Sequence, residues 1–150
     1  MFEHDGAPCR LSYEVDCDET WRTRWARVRG FVERPVNVSI TVDAEGTWRL
    51  NGDEVPAVAG CIDVDLNFSP STNTLPIRRL KLEVGEEAEV RAAWLRFPSF
   101  ELEPLVQRYR RIDERTYHYE SGSFTANITV NDAALVTSYD GFCEAVASTD

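Results

Sequence analysis

The residues best suited to chemistry lie in the segment 61–80, which reads CIDVDLNFSPSTNTLPIRRL. Asp63 and Asp65 stand two residues apart, and Arg78 and Arg79 follow after a loop bounded by prolines. If the first part of the segment is a strand, the two aspartates share one face and the apolar residues beside them share the other. Side-by-side carboxylates repel each other unless cations lie opposite, so the pattern predicts that the arginines return to the aspartates.

An Asp–Arg cluster of this kind has two interpretations. The first is structural, because arginine forks on carboxylates hold neighbouring elements in register. The second is a binding site, in which the cluster lines one end of a cavity and contacts a sugar or phosphate headgroup. Sugars offer hydroxyl groups and apolar faces, so such a site combines polar side chains with aromatic rings, and apolar strand faces would hold an acyl chain. The candidate ligand-binding residues are Asp63, Asp65, Asn73, Arg78, Arg79, Gln107, Tyr109, Trp48 and Tyr117.

Catalytic and metal sites are not indicated. The sequence has no G-x-S-x-G elbow, no P-loop and no H-E-x-x-H motif. Two neighbouring carboxylates beside arginines would both stay ionised, which does not suit the acid and base of a glycosidase. Calcium at Asp63, Asp65 and Asn67 would need further carboxylates nearby, and the cysteine spacing fits no zinc site. We therefore predict a protein that is not an enzyme and has no metal and no cofactor.

The loop from Pro70 to Pro76 is predicted to be rigid. Its two prolines fix φ and restrict the residues before them, and Ser71, Thr72 and Asn73 can bond the local backbone. A rigid loop suits either the rim of a ligand site or a plug that closes the end of a barrel.

Period-2 patterns predict that most of the remaining chain is β-structure. In Val36–Val42 and Phe124–Val130 apolar and polar residues alternate, and each run meets a turn and returns as a second strand, through Trp48 or through Val136. A change of apolar phase near Trp25 predicts a β-bulge. Further strands are predicted at Leu11–Asp16, Trp21–Arg29, Cys61–Phe68, Arg78–Val84, Glu89–Phe97 and Arg115–Glu120. Pro98–Arg111 fits a helical stripe or an extended edge strand, and we predict a strand.

At least ten strands and little helix are thus expected. An antiparallel sheet of that length must curl, because a flat one would leave exposed edges and an uncovered apolar face. The predicted fold is all-β: a single curled antiparallel sheet that forms an incomplete or closed β-barrel.

Composition limits the function classes. The chain has 150 residues, which fits one domain spanning 1–150. Its N-terminus lacks the features of a signal peptide, and no apolar run is long enough to span a membrane, so we expect a cytoplasmic protein with reduced cysteines. A formal charge of -10 argues against nucleic acid as a partner. The acidic excess fits either a high-salt cytoplasm or codon bias.

The segment 61–80 resembles the signature of the "putative glycolipid-binding" family, formerly a domain of unknown function. That signature has the form Cys-x-Asp-x-Asp-Leu followed by Thr-Asn-Thr-Leu-Pro-Ile-Arg-Arg-Leu. The resemblance extends to Tyr13–Asp18 with Trp21 and Arg22, to Gly46–Trp48, Pro98, Gln107–Tyr109 and Tyr117–Tyr119, and to Leu135, Val136 and Tyr139. The sequence departs from the family pattern at Ser71 and Asp140.

The resemblance implies a fold similar to the lipoprotein-localisation factors, in which a curled sheet surrounds an apolar cavity. It implies a non-catalytic protein that binds an amphiphilic ligand, a glycolipid, in that cavity. The alternative is a structural or interaction protein with a filled core and no small-molecule ligand, and a third interpretation is a hydrolase of an unrecognised type.

Overall fold

The computed structural model describes residues 2–4, 7–66, 70–139 and 143–144. The chain is mostly β-structure and forms two sheets, one of which curls into a half-barrel. The first sheet is antiparallel and runs in chain order through β1 (Phe2–His4), β2 (Ala7–Cys17), β3 (Thr23–Val32), β4 (Pro35–Val42), β5 (Trp48–Leu50) and β6 (Asp53–Glu54).

The second sheet contains the strands that follow in the chain. They are β7 (Asp63–Leu66), β8 (Glu87–Leu95), β9 (Leu102–Arg111), β10 (Thr116–Ser121), β11 (Phe124–Val130), β12 (Val136–Tyr139) and β13 (Cys143–Glu144). Neighbouring strands are consecutive in sequence, and all pairs are antiparallel except β7 with β8, which is parallel. The β-rich fold with a curled sheet is therefore confirmed.

The prediction of one continuous sheet of ten or more strands is wrong. After β6 the chain leaves the first sheet through a 3-10 helix at Pro56–Val58 and starts the second sheet at β7. Because β7 pairs parallel with β8, the connection between them must cross over, and hairpin patterns in the sequence do not reveal such a crossover.

That crossover also corrects the predicted loop at Pro70–Pro76 and the predicted strand at Arg78–Val84. The segment forms a 3-10 helix at Pro70–Asn73 and then the helix α1 at Thr74–Leu80. Pro76 is tolerated because it lies in the first turn, where a backbone N–H has no partner within the helix. Lys81, which follows, has a left-handed conformation with φ of 50° and ends the helix.

Other strand predictions agree with the structure more closely. Asp16 pairs with Trp25 and Cys17 with Thr23, so Arg24 is the extra residue of the predicted bulge. The segment predicted at Pro98–Arg111 contains β9, and Pro104 fits there because β10 pairs with β9 only from Arg108 onward.

Within the segment Cys61–Phe68, which is predicted as a strand, the strand β7 spans Asp63–Leu66. The predicted calcium ligand Asn67 lies outside the described residues, as do Phe68 and Asp140.

Strand β7 lies between two apolar clusters. Val64 and Leu66 belong to the first cluster, which lies against β3 and β4 of the first sheet. The opposite face of β7 carries Asp63 and Asp65, whose cross-strand partners on β8 are Ala92 and Trp94. The second cluster contains Ile77 of α1 and inward-facing residues of β9 to β11. The fold therefore places both aspartates on the side of the second sheet that α1 covers.

Hydrogen bonds to Thr23 join the two sheets at this point. The Thr23 backbone N–H donates to the Ile62 carbonyl at 3.2 Å, and its hydroxyl accepts from the Val64 N–H at 3.0 Å. Nearby, the indole N–H of the fully buried Trp48 donates to the Cys61 carbonyl at 2.9 Å. These bonds fix the start of β7, and with it the position of the aspartates.

Candidate functional site

The first part of the site is a buried ion pair between Asp63 and Arg79. Helix α1 presents Arg79 to β7, where both terminal guanidinium nitrogens donate to the two carboxylate oxygens, one of them at 2.8 Å. Burial raises the pKa of Asp63, while the hydrogen bonds and charge of Arg79 oppose that rise. Two parallel bonds fix the orientation of both side chains, so this pair fastens α1 onto the sheet.

The second part of the site is the hydrogen-bonded set Asp65, Gln107 and Tyr119. The Gln107 amide donates to Oδ2 of Asp65 at 2.5 Å and to the Tyr119 hydroxyl at 2.9 Å. Removal from water raises the pKa of Asp65 to about 6, against the effect of the Gln107 bond, and the charge of Asp63 adds to the rise. In the described part of the chain, no arginine, lysine or histidine pairs with Asp65.

Two acceptor atoms of this second set remain open. Asp65 is only partly buried, and its Oδ1 has no hydrogen-bond partner among the described residues; Oε1 of Gln107 also has none. Every buried side-chain oxygen or nitrogen of the described residues is satisfied. Both atoms must therefore reach solvent. Oδ1 of Asp65 can accept a hydrogen bond from a ligand, whereas Gln107 is 2% exposed and its Oε1 is accessible only over a small area.

Asn73 and Tyr109 form a third hydrogen-bonded group, next to the second. The Asn73 amide donates to the Tyr109 hydroxyl at 2.6 Å, and both residues are buried. The ring of Tyr109 lies edge-on to that of Tyr119, with centroids 5.2 Å apart. Burial raises the pKa of both tyrosines, which keeps their hydroxyl groups protonated at neutral pH.

Six of the nine predicted ligand-binding residues belong to these three neighbouring hydrogen-bonded groups. They are Asp63, Asp65, Asn73, Arg79, Gln107 and Tyr109. Tyr119 is a seventh member that sequence reasoning missed. It alternates with Tyr117 on β10, so the period-2 pattern of that strand placed both on the inward face and was the available signal.

The other three predicted residues lie elsewhere. Arg78 leaves α1 on another side, where it donates to the Ala133 carbonyl and its guanidinium lies 4.3 Å from the ring centroid of Trp21. Trp48 lies in the first apolar cluster. Tyr117 lies in the second cluster, with its ring centroid 5.6 Å from the Arg111 guanidinium.

Apolar side chains flank the open acceptors. Val90 is the cross-strand partner of Gln107. Leu105 is the cross-strand partner of Ala92, and Ala92 is in turn the partner of Asp63. Both Val90 and Leu105 are half-buried. The Phe124 ring is 46% exposed, with its centroid 6.1 Å from that of Tyr119. The inner face of this sheet thus combines hydrogen-bonding groups with solvent-accessible apolar surface.

A groove of about 540 Å³ opens at a different place. It is lined by three stretches of chain: Asp18 with Arg22–Arg24, Val42–Gly46, and Gly60–Ile62. None of the nine predicted residues lines it. Asp18 and Asp43 accept backbone N–H bonds within their own turns, and these bonds hold the pKa of each carboxyl below its usual value.

The described residues contain no group of three or more histidine, cysteine, aspartate or glutamate side chains that could hold a metal ion. No helix in the described ranges is long and apolar enough to cross a membrane.

Comparison with known proteins identifies the family. A family model described as "Putative glycolipid-binding" matches residues 1–145. The chain belongs to this family. Among solved structures, it is similar to a DUF1089 family protein from Pseudomonas aeruginosa, with 36% sequence identity and a TM-score of 0.88 over 97% of this chain and 82% of that chain. None of the curated proteins compared with the chain matches it.

Proposed function

We propose that the protein is a single binding domain, residues 1–150, that holds an amphiphile without transforming it, and that the amphiphile is a glycolipid. The observation that carries the proposal is the inner face of the second sheet. There the open acceptors of Asp65 and Gln107 lie beside the accessible apolar side chains Val90, Leu105 and Phe124. The description of the family as glycolipid-binding supports the same ligand class.

Each part of this face has a role in the proposal. A headgroup hydroxyl bonds to Asp65, which Gln107 holds in place, and the acyl chain contacts Phe124 and the half-buried strand residues. Each methylene removed from water contributes roughly 0.8 kcal/mol. Asp63 and Arg79 hold the shape of the site, with Asn73 and Tyr109 beneath them. We place Arg78, Trp48 and Tyr117 in supporting positions, because each is engaged away from the open acceptors.

Binding without catalysis agrees with the state of the two carboxylates. Asp65, with its pKa raised to about 6, has the property of a general acid. A glycosidase needs a second carboxylate on the opposite side of the scissile bond, about 5 Å or more away. Asp63 is buried and held through both oxygens by Arg79, so it cannot serve as that partner.

A cytoplasmic location belongs to the same proposal. Among the described cysteine side chains, Cys17 and Cys61 are both free thiols, which is typical of a reducing compartment. The formal net charge of -10 makes nucleic acid an unsuitable partner. Cell fractionation with an antibody to the protein tests the location directly.

Titration with dodecyl-β-maltoside below its critical micelle concentration tests the binding function. We expect a saturable change in tryptophan fluorescence and a one-to-one complex in native mass spectrometry. Phe124→Ser should weaken binding, whereas Phe31→Ser should not, since Phe31 is 48% exposed but lies in the first sheet. If no complex forms, the alternative of a structural or interaction protein with a filled core is favoured.

A further inference from the structure

The open atoms of the site are both acceptors. Oδ1 of Asp65 carries negative charge and Oε1 of Gln107 is an amide oxygen, and neither has a partner among the described residues. We propose that the site selects an uncharged, hydroxyl-rich headgroup and rejects phosphate or carboxylate headgroups. This inference rests on the proposed function, because it concerns the ligand of the same site.

Among the described residues near the site, no cation is paired with Asp65. Arg79 uses both terminal nitrogens on Asp63, and Arg78 is turned away towards the Ala133 carbonyl and the Trp21 ring. The Asn73 amide donates to Tyr109. Arg22 is exposed and its charge lowers the pKa of Asp63, but no arginine is among the groups that shift the pKa of Asp65. A phosphate placed at the open atoms would therefore meet the charge of Asp65 with no paired arginine to offset it.

Hydroxyl groups suit the same atoms. A sugar hydroxyl can donate to a carboxylate oxygen, and bonds to an ionised acceptor are about twice as strong as neutral ones. The amide oxygen of Gln107 is a second acceptor, accessible only over a small area because this side chain is 2% exposed. Sugars also present an apolar face, and the partly exposed Phe124 ring lies next to Tyr119, which is bonded to Gln107.

The experiment compares two amphiphiles with the same tail at fixed ionic strength: dodecyl-β-maltoside and dodecyl phosphate, each below its critical micelle concentration. For the natural sequence we expect maltoside to bind about tenfold tighter or more, the effect of one charge-assisted bond. Asp65→Asn should remove most of that preference, since asparagine keeps the shape and an acceptor oxygen but not the charge.

Asp53→Asn is the matched control. It removes one negative charge from the exposed strand β6, so it reports how far the overall charge of -10 repels any anion. The preference for dodecyl-β-maltoside over dodecyl phosphate should remain in Asp53→Asn. Urea unfolding of both variants verifies that each is folded before binding is compared.

Three results would overturn the inference. Dodecyl phosphate could bind as tightly as maltoside, the preference could persist in Asp65→Asn, or it could disappear equally in Asp53→Asn. Each leaves amphiphile binding intact. If neither amphiphile binds, the proposed function itself fails, and the inference fails with it.

Discussion

Asp63 and Asp65 lie on the same face of one short strand, but their surroundings differ. Asp63 is buried and paired through both oxygens with Arg79. Asp65 is partly exposed, has an amide as its bonded partner and keeps one oxygen open. Burial raises the pKa of both carboxyl groups, but only Asp63 has a cation that opposes the rise through hydrogen bonds. A paired buried carboxylate holds elements together, whereas an unpaired ionised one opposes folding and is typical of a functional group. We therefore interpret the Asp63 end as the fastening of α1 and the Asp65 end as the place for a ligand.

The largest expected effect is a loss of stability when the ion pair between Asp63 and Arg79 is broken. Arg79→Met leaves Asp63 buried without a cation, and removing one partner of a buried ion pair costs about 3–5 kcal/mol of unfolding free energy. Urea unfolding followed by tryptophan fluorescence measures the loss. Arg79→Lys keeps the positive charge but not the two parallel hydrogen bonds of the guanidinium. It should therefore lose less unfolding free energy than Arg79→Met. A loss below about 1 kcal/mol, the range of exposed pairs, would erase the distinction between the two aspartates.

At the open end, Asp65→Asn should stabilise the protein at neutral pH. The folded pKa of Asp65 is raised from 3.8 to about 6, so the folded state binds this proton more tightly than the unfolded state does. The associated stability is present below pH 3.8 and is lost as the pH rises through about 6. The variant should gain up to about 3 kcal/mol above that range, reduced by the partial exposure of the side chain.

Unfolding free energies of both proteins between pH 4 and pH 8 provide the check. The difference between the two unfolding free energies should increase as the pH rises across this range. Asp63 is present in both proteins and does not contribute to the difference directly. A constant difference would mean that Asp65 carries no raised pKa and is no less well paired than Asp63.

Asn73→Ala tests whether the segment before α1 acts as a plug. The substitution leaves the buried Tyr109 hydroxyl without its donor, which costs about 1–3 kcal/mol. Tyr109→Phe combined with Asn73→Ala should cost less than the two single changes added together, since both polar partners are then removed. Lost amphiphile binding with an unchanged unfolding free energy would instead place Asn73 at the rim of the site.

The smallest effect is expected at an exposed ion pair. Arg24 contacts Asp16 at 3.2 Å, and the arginine side chain is 63% exposed. Arg24→Met should change the unfolding free energy by less than about 1 kcal/mol, because solvent screens such pairs. It is the matched control for Arg79→Met. Equal losses in the two variants would show that burial does not distinguish the ion pairs.

Local patterns predicted much of the β-structure. Val36–Val42 is almost the whole of β4, and the phase change near Trp25 marks a real bulge. The sequence does not reveal the helix α1, because its 7 residues are too few to show a helical period and Pro70 and Pro76 favour a loop. The parallel pairing of β7 was missed because strand alternation shows which face is buried but not which strand lies beside it.

For the candidate site, the sequence by itself predicted that the arginines return to the aspartates, because like charges two residues apart on a strand repel each other. The structure agrees for Asp63 and disagrees for Asp65, which has no cationic partner among the described residues. The sequence also determined the family, through the motif in residues 61–80. The tertiary structure decided which arginine meets which aspartate. Adjacent helical residues point about 100° apart, so Arg79 turns inward to Asp63 while Arg78 turns towards Ala133. Asp65 is left without a cation because one arginine of α1 pairs with Asp63 and the other is engaged on a different side of the helix.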